Sequence, residues 1–156
     1  MKEMKIAVIS DSHGIISQEV IQRIRDCDCV LHAGDILRET DLDLLAVYKP
    51  IYAVRGNCDI LPWCTRLQDT LYFNLAGFRF AMVHDRRNAP RNLDGVHVIV
   101  HGHTHHYSEE WLDGRLWLNP GSCGAPRFGG EATMAVLSVR DESIAAEKIC
   151  LQNSFL

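Results

Sequence analysis

A chain of 156 residues, 47% hydrophobic and 23% charged, carries enough apolar surface for one folded domain over 1–156 and excludes a disordered or fibrous class. Its net charge of -4 offers no basic face for long DNA or RNA. No apolar run nears the ~20 residues of a membrane span, no signal-peptide pattern opens the chain, and the six scattered cysteines lack CxxC spacing, so a cytoplasmic protein with reduced thiols is expected.

In chain order, residues 5–10 (KIAVIS) form a compact apolar run with β-branched residues and read as a buried parallel strand. Ser17 caps a helix predicted over 18–25, with Val20, Ile21 and Ile24 on one face. A second strand over 29–33, a short helix over 41–47 and a third strand over 50–55 complete a βαβαβ alternation, which predicts a parallel sheet. Beyond residue 60 the pattern changes. Strands over 70–75 and 78–84 flank Ala76-Gly77, and strands over 107–112 and 115–118 flank Asp113-Gly114, two hairpin signals. A strand over 96–100 and a pair over 132–139 and 144–150 leave the second half mostly antiparallel by expectation. The predicted fold class is therefore mixed α/β, with two packed sheets and helices outside.

The chemistry-bearing residues collect just past the strands: Asp11-Ser12-His13, Gly34-Asp35, Gly56-Asn57-Cys58-Asp59, His84-Asp85 and Gly102-His103-Thr104-His105. Ligands of open α/β sheets bind at the carboxyl ends of strands, so five segments deliver Asp11, His13, Asp35, Asn57, His84, His103 and His105 to one edge. Taken singly, most of these read equally well as a helix cap, a turn or a surface histidine. The Gly-His-Thr-His run is the more specific signal, and the combination is more specific still. Oxygen and imidazole donors suit manganese, iron, zinc or nickel. Seven ligands are too many for one tetrahedral ion and enough for two sharing a bridge, for which Asp35 is the natural carboxylate. Two cations ~3.5–4 Å apart clamp phosphoryl oxygens.

This series, followed by Asn119-Pro120-Gly121-Ser122 and running from residue 5 to about 127, resembles the calcineurin-like metallophosphoesterase superfamily, above all its short bacterial and archaeal phosphodiesterases. The resemblance implies two mixed β-sheets sandwiched between helices in four layers, and a divalent-metal-dependent phosphodiesterase acting on small phosphoesters. It assigns Asp11, His13 and His105 to one ion, Asn57, His84 and His103 to the other, and Asp35 to both. In-line attack by a metal-bridging hydroxide is the implied reaction, with Asn57 and the bridging Asp35 as catalytic residues. Manganese is the first expectation for the two ions, and a homo-oligomer is compatible with the chain. Asp59 and Ser122 would orient ligating histidines, with plain turn chemistry as the alternative.

Three departures from the resemblance bear on function. Cys58 stands where many relatives carry a histidine, a candidate general acid. A thiol donates a proton poorly to an alkoxide, so aryl phosphodiesters are expected to react better than alkyl monoesters. Asp85 replaces a frequent glycine, and the 85–95 segment, with Pro90 and two asparagines, replaces a usual helix. Arg86, Arg87 and Arg91 there are candidates for a remote substrate phosphate, or simply members of a solvated loop. His32 is expected in the core or bonded to backbone, His101 near the ligands, and His97 and His106 at the surface. Trp63 and Phe128 line a pocket or pack in a core or dimer. Two alternatives to the phosphodiesterase are a non-catalytic interaction scaffold of the same fold and a metal-dependent nuclease. The full ligand set argues against the first, the acidic charge against the second.

Overall fold

The computed structural model describes residues 3–124 and 130–152, so Phe128 lies outside the described residues. Its first sheet has the order β10-β9-β1-β2-β3, built from β1 (Met4–Ile9), β2 (Cys29–His32), β3 (Ile51–Ala53), β9 (Thr133–Arg140) and β10 (Ser143–Cys150). The second has the order β4-β5-β6-β8-β7, from β4 (Thr70–Leu75), β5 (Phe78–Val83), β6 (Val98–Val100), β7 (Tyr107–Leu112) and β8 (Arg115–Pro120).

Alternation along the strands decides the layers. Ile6 and Val8 of β1, Leu31 of β2 and Leu137 of β9 meet Phe80 and Met82 of β5, Val98 and Val100 of β6, and Leu116 and Leu118 of β8 between the sheets. Each such side chain, fully buried, contributes roughly 1.5–3 kcal/mol. The alternate residues Ala7, Ile9, Val30 and Met134 face the other way, onto Val20 and Ile24 of α1 (Gln18–Arg25) and Leu45 of α2 (Glu39–Tyr48). Both described α-helices therefore cover the first sheet. On the outer face of the second, Ala81 and Ile99 pack with Val96, Leu93 and Trp117. In that layer the 85–95 segment forms one 3-10 turn, Arg86–Asn88, where Pro90 prevents a longer helix.

The local signals are realised as turns. Ser17 Oγ accepts from Val20 N at 3.3 Å, capping α1. Ala76 and Gly77, and Asp113 and Gly114, both have positive φ, as two-residue hairpin turns require. The second half is mostly antiparallel, as expected, in β4 with β5, β7 with β8 and β9 with β10, but at the centre of the second sheet β6 pairs in parallel with both β5 and β8. Parallel neighbours end at the same edge. His84 after β5 and His103 after β6 therefore emerge side by side.

Candidate metal centre

The loops after β1 and β2 continue to hydrogen-bond beyond their strands. Asp11 N donates to Gly34 O at 2.9 Å, His13 N to Asp35 O at 3.0 Å and Gly14 N to Ile36 O at 3.1 Å. Asp11, His13, Asp35, His103 and His105 all adopt left-handed φ, from 47° to 73°, five of the nine such non-glycine residues among those described. That conformation costs about 1–3 kcal/mol per residue and persists where surrounding contacts impose it. At these five positions the imposed backbone aims side chains at a common point.

Each carboxylate has one oxygen tied down and one presented. Asp11 Oδ2 accepts from Ser10 Oγ at 2.6 Å and His103 N at 3.0 Å. Its Oδ1 lies 3.3 Å from His105 Nε2 and 3.8 Å from both His13 Nε2 and His84 Nε2. Asp35 Oδ1 accepts from Cys58 N at 2.8 Å, while Oδ2 lies 3.5 Å from His13 Nε2 and 3.3 Å from His84 Nε2. The rings pair off: His13 with His105, centroids 5.1 Å apart, and His84 with His103 at 5.2 Å. Asn57 joins the second pair, its Oδ1 3.1 Å from His103 Nδ1. All seven candidate ligands thus converge. Cys58 joins them, its Sγ grouped with His13 and Asp35, a donor that sequence reasoning weighed only as a weak acid.

These residues fit a cation. Asp11 Oδ1, His13 Nε2 and His84 Nε2 are buried without a hydrogen-bond partner, a costly arrangement unless an ion or water satisfies them. His84 Nδ1 donates to the Ala33 carbonyl at 2.7 Å, which leaves the Nε2 lone pair of the neutral ring facing Asp35. Burial alone would raise the pKa of both carboxylates. The histidines around Asp11 and Ser10, and His84 with the Cys58 N–H around Asp35, overcome it and hold both below the usual range. Burial pushes His84 down, but Asp35 and Asp11 outweigh it and raise its pKa. Backbone passes close beside the carboxylates: a Cβ on Gly56 would collide with Asp35, and one on Gly102 with Ser10.

Asp59 and Ser122 act on the loops rather than on a histidine. The buried Asp59 carboxylate accepts from Asp35 N at 2.9 Å, Ile36 N at 2.9 Å, Leu37 N at 2.8 Å and Gly56 N at 2.8 Å. Ser122 Oγ donates to Asp11 O at 2.8 Å. Asn119 Nδ2 donates to Gly102 O at 3.1 Å and Thr104 Oγ1 at 3.0 Å, pinning the Gly-His-Thr-His loop. His32 is both buried in the core and bonded to backbone, the two places expected for it, and it acts as a positioning residue. Its Nδ1 accepts from Gly34 N at 3.1 Å, so Nε2–H donates to Ser12 Oγ at 2.9 Å and ties the first two loops together.

Two hollows flank the centre. One, of about 730 Å³, opens from Asn57 and His84 towards Ile60, Leu61 and Pro62. The other, of about 770 Å³, is bounded by Asp85, Arg86, Arg87, His101, His103 and Asn119. The arginines are engaged. Arg86 Nη1 donates to Glu110 at 2.6 Å and its guanidinium lies 4.6 Å over Trp117, while Arg87 grips Asp85. Arg91 is exposed and lines neither hollow. His97 and His106 are exposed, and Trp63 is half-buried outside both hollows.

His32 and His101 yield a pH prediction. Burial pushes each ring down to about 4, against the attraction of Asp59 and Asp11 for His32, and with Arg86 adding to the effect at His101. The unfolded rings titrate near 6.5, so protons bind the unfolded chain first. Stability is whole above pH ~6.5 and falls as pH drops towards 4, by about 2 kcal/mol per ring at pH 5. His84, with its raised pKa, opposes part of this loss. Urea unfolding of metal-free protein at pH 7 and pH 5 should show the fall, and His101→Phe should flatten it. An equally steep fall in His101→Phe would remove His101 from the account.

Comparison with known proteins identifies the family. Residues 4–142 match the family model described as the calcineurin-like phosphoesterase superfamily domain. A probable metallophosphoesterase of Methanothermobacter thermautotrophicus is 31% identical, with 94% of this chain and 92% of that protein aligned. Phosphodiesterase YfcE of Escherichia coli K12 is 26% identical over 92% of this chain and 97% of that protein. The crystal structure of a conserved protein of Streptococcus pneumoniae TIGR4, described as a predicted phosphoesterase, superposes with a TM-score of 0.76 at 26% identity, covering 96% of this chain and 91% of that one. With its two mixed sheets and its Asp/His groups gathered at one edge, the chain belongs to the calcineurin-like phosphoesterase superfamily, and the curated relatives it matches are named metallophosphoesterases and phosphodiesterases.

Proposed function

We propose that the chain is a phosphodiesterase with a centre for two divalent ions, manganese first among them, acting on small diesters that have a good leaving group. One observation carries the reading: Asp35 Oδ2 stands 3.5 Å from a ring of the His13/His105 pair and 3.3 Å from a ring of the His84/His103 pair. A carboxylate oxygen shared in this way suits a bridging ligand. Asp11, His13 and His105 would hold one ion and Asn57, His84 and His103 the other. When bound, two such ions supply Lewis acidity at the phosphoryl oxygens and an activated water. The protein's part is orientation: Ser10, Asp59, Ser122 and Asn119 hold the loops, and the Ala33 carbonyl sets His84. The five left-handed residues cost several kcal/mol, strain of the kind that gathers at ligand-binding sites.

The hollow opening from Asn57 and His84 supports the choice of substrate. Ile60 is 83% exposed and Leu61 54% exposed on its rim, which suits an apolar or aromatic ester group. Among the described residues lining it, the imidazole is that of His84, itself a candidate ligand, so no separate histidine stands ready to protonate a leaving alkoxide. The test is kcat/KM for one aryl diester and one alkyl monoester with the same metal. The aryl diester should be preferred by about 10²-fold or more, the scale of a missing general acid. Cys58→His should raise monoester turnover more than diester turnover. A wild type that prefers the alkyl monoester would show that another residue delivers the proton.

A further inference from the structure

We propose that Asp85 is a positioning residue for His103: its carboxylate holds the ring proton on Nε2 and so turns the Nδ1 lone pair towards Asn57 Oδ1. The inference rests on reading Asn57, His84 and His103 as ligands of one ion.

A neutral imidazole carries one ring proton, and two acceptors compete for it here. Asn57 Oδ1 lies 3.1 Å from Nδ1, and Asp85 Oδ2 lies 3.7 Å from Nε2. With the proton on Nδ1, the two candidate ligand atoms are spent on each other. With the proton on Nε2, both keep their lone pairs side by side, as two neighbouring donors to one ion require. A carboxylate is the stronger acceptor of the two, since charge-assisted hydrogen bonds are about twice as strong as neutral ones. Closing 3.7 Å to a hydrogen bond takes a side-chain shift of about 0.5–1 Å.

His103 is the ring that most needs such a partner. Its side chain is 34% exposed, against 20% for His13, 5% for His84 and 6% for His105. His84 has the Ala33 carbonyl to fix its proton, and Asp85 stands in the corresponding place for His103. Asp85 is itself held. Arg87 Nη2 donates to Oδ2 at 2.7 Å, Arg87 Nε reaches both oxygens at 3.2 Å, and Arg87 N donates to Oδ1 at 3.0 Å, which caps the Arg86–Asn88 turn. The same guanidinium balances the carboxylate's charge, so Asp85 orients the ring without adding net charge beside the centre.

Two readouts decide it. In metal-free protein, side-chain ¹⁵N NMR should show His103 as the Nε2–H tautomer, and Asp85→Ala should move it to Nδ1–H. Calorimetric titration with manganese chloride should show one of two binding steps weakened about 10–100-fold in Asp85→Ala and the other unchanged. Asp85→Asn, which keeps an acceptor oxygen, should fall between. A role through charge alone would instead make Asn and Ala equally weak. Arg87→Ala leaves the carboxylate but frees it, and should show the same changes in smaller measure even if Asp85→Ala does not fold. An unchanged tautomer with an unchanged isotherm in these variants overturns the proposal. A wild type that binds no manganese would sink the two-ion reading instead, while the metal-free tautomer would still report on Asp85.

Discussion

Asp35→Asn should leave a folded protein that has lost most of its activity and part of both ion sites. The substitution is nearly isosteric and keeps an oxygen for the Cys58 N–H. It also puts an amide N–H₂ where Oδ2 now faces His13 and His84. The amide N–H₂ has no lone pair to offer where a shared oxygen is needed, and a formal charge is gone. Elemental analysis of gently purified wild type should find close to two divalent ions per chain, and the variant should lose affinity at both. kcat/KM should fall by at least the ~10²–10³-fold that follows removal of a single oxyanion donor. His103→Ala should weaken mainly one site. Two retained ions and normal turnover in Asp35→Asn would show that the carboxylate is not shared.

Asp59→Ala should have the largest effect on stability. Its carboxylate receives four backbone N–H groups, three from the 35–37 loop, 22 to 24 residues away, and one from its own turn, and it is buried. Each buried N–H left without a partner costs about 1–3 kcal/mol, so even with water replacing some bonds the loss should reach at least about 3 kcal/mol, against total stabilities of ~5–15 kcal/mol. Asp59→Asn is no rescue, because the new N–H₂ would face the N–H pair that Oδ1 or Oδ2 now accepts. Chemical denaturation at neutral pH measures the loss, and metal titration should show that Asp35 is no longer held in place. A cost below about 1 kcal/mol with metal binding intact would mean that the loops hold themselves.

Much of the centre was legible because its signals are local. Asp11-Ser12-His13, Gly34-Asp35 and Gly102-His103-Thr104-His105 each follow a recognisable apolar strand, and strand ends in such sheets are where ligands gather. The start of α2 was not legible. Arg38, at its N-cap, makes no side-chain capping bond to the helix, and the first turn is held instead by Arg38 reaching Asp41 at 3.1 Å. The parallel pairing of β6 was hidden as well, since its partners come from distant hairpins whose own turns read as antiparallel.

By itself, then, the sequence determined the strand and helix segments, the hairpin turns and the kinds of candidate ligand at each strand exit, because periodicity, turn chemistry and donor type are properties of a few adjacent residues. The tertiary structure alone decided which oxygen of Asp11 and Asp35 is tied and which is presented, that Asp59 clamps the Asp35 loop, that His32 joins the first two loops, and that Asp85 faces His103. Those outcomes depend on where a second backbone passes within hydrogen-bond reach of the first. That distance is set by sheet order and register, and no local run of residues encodes it.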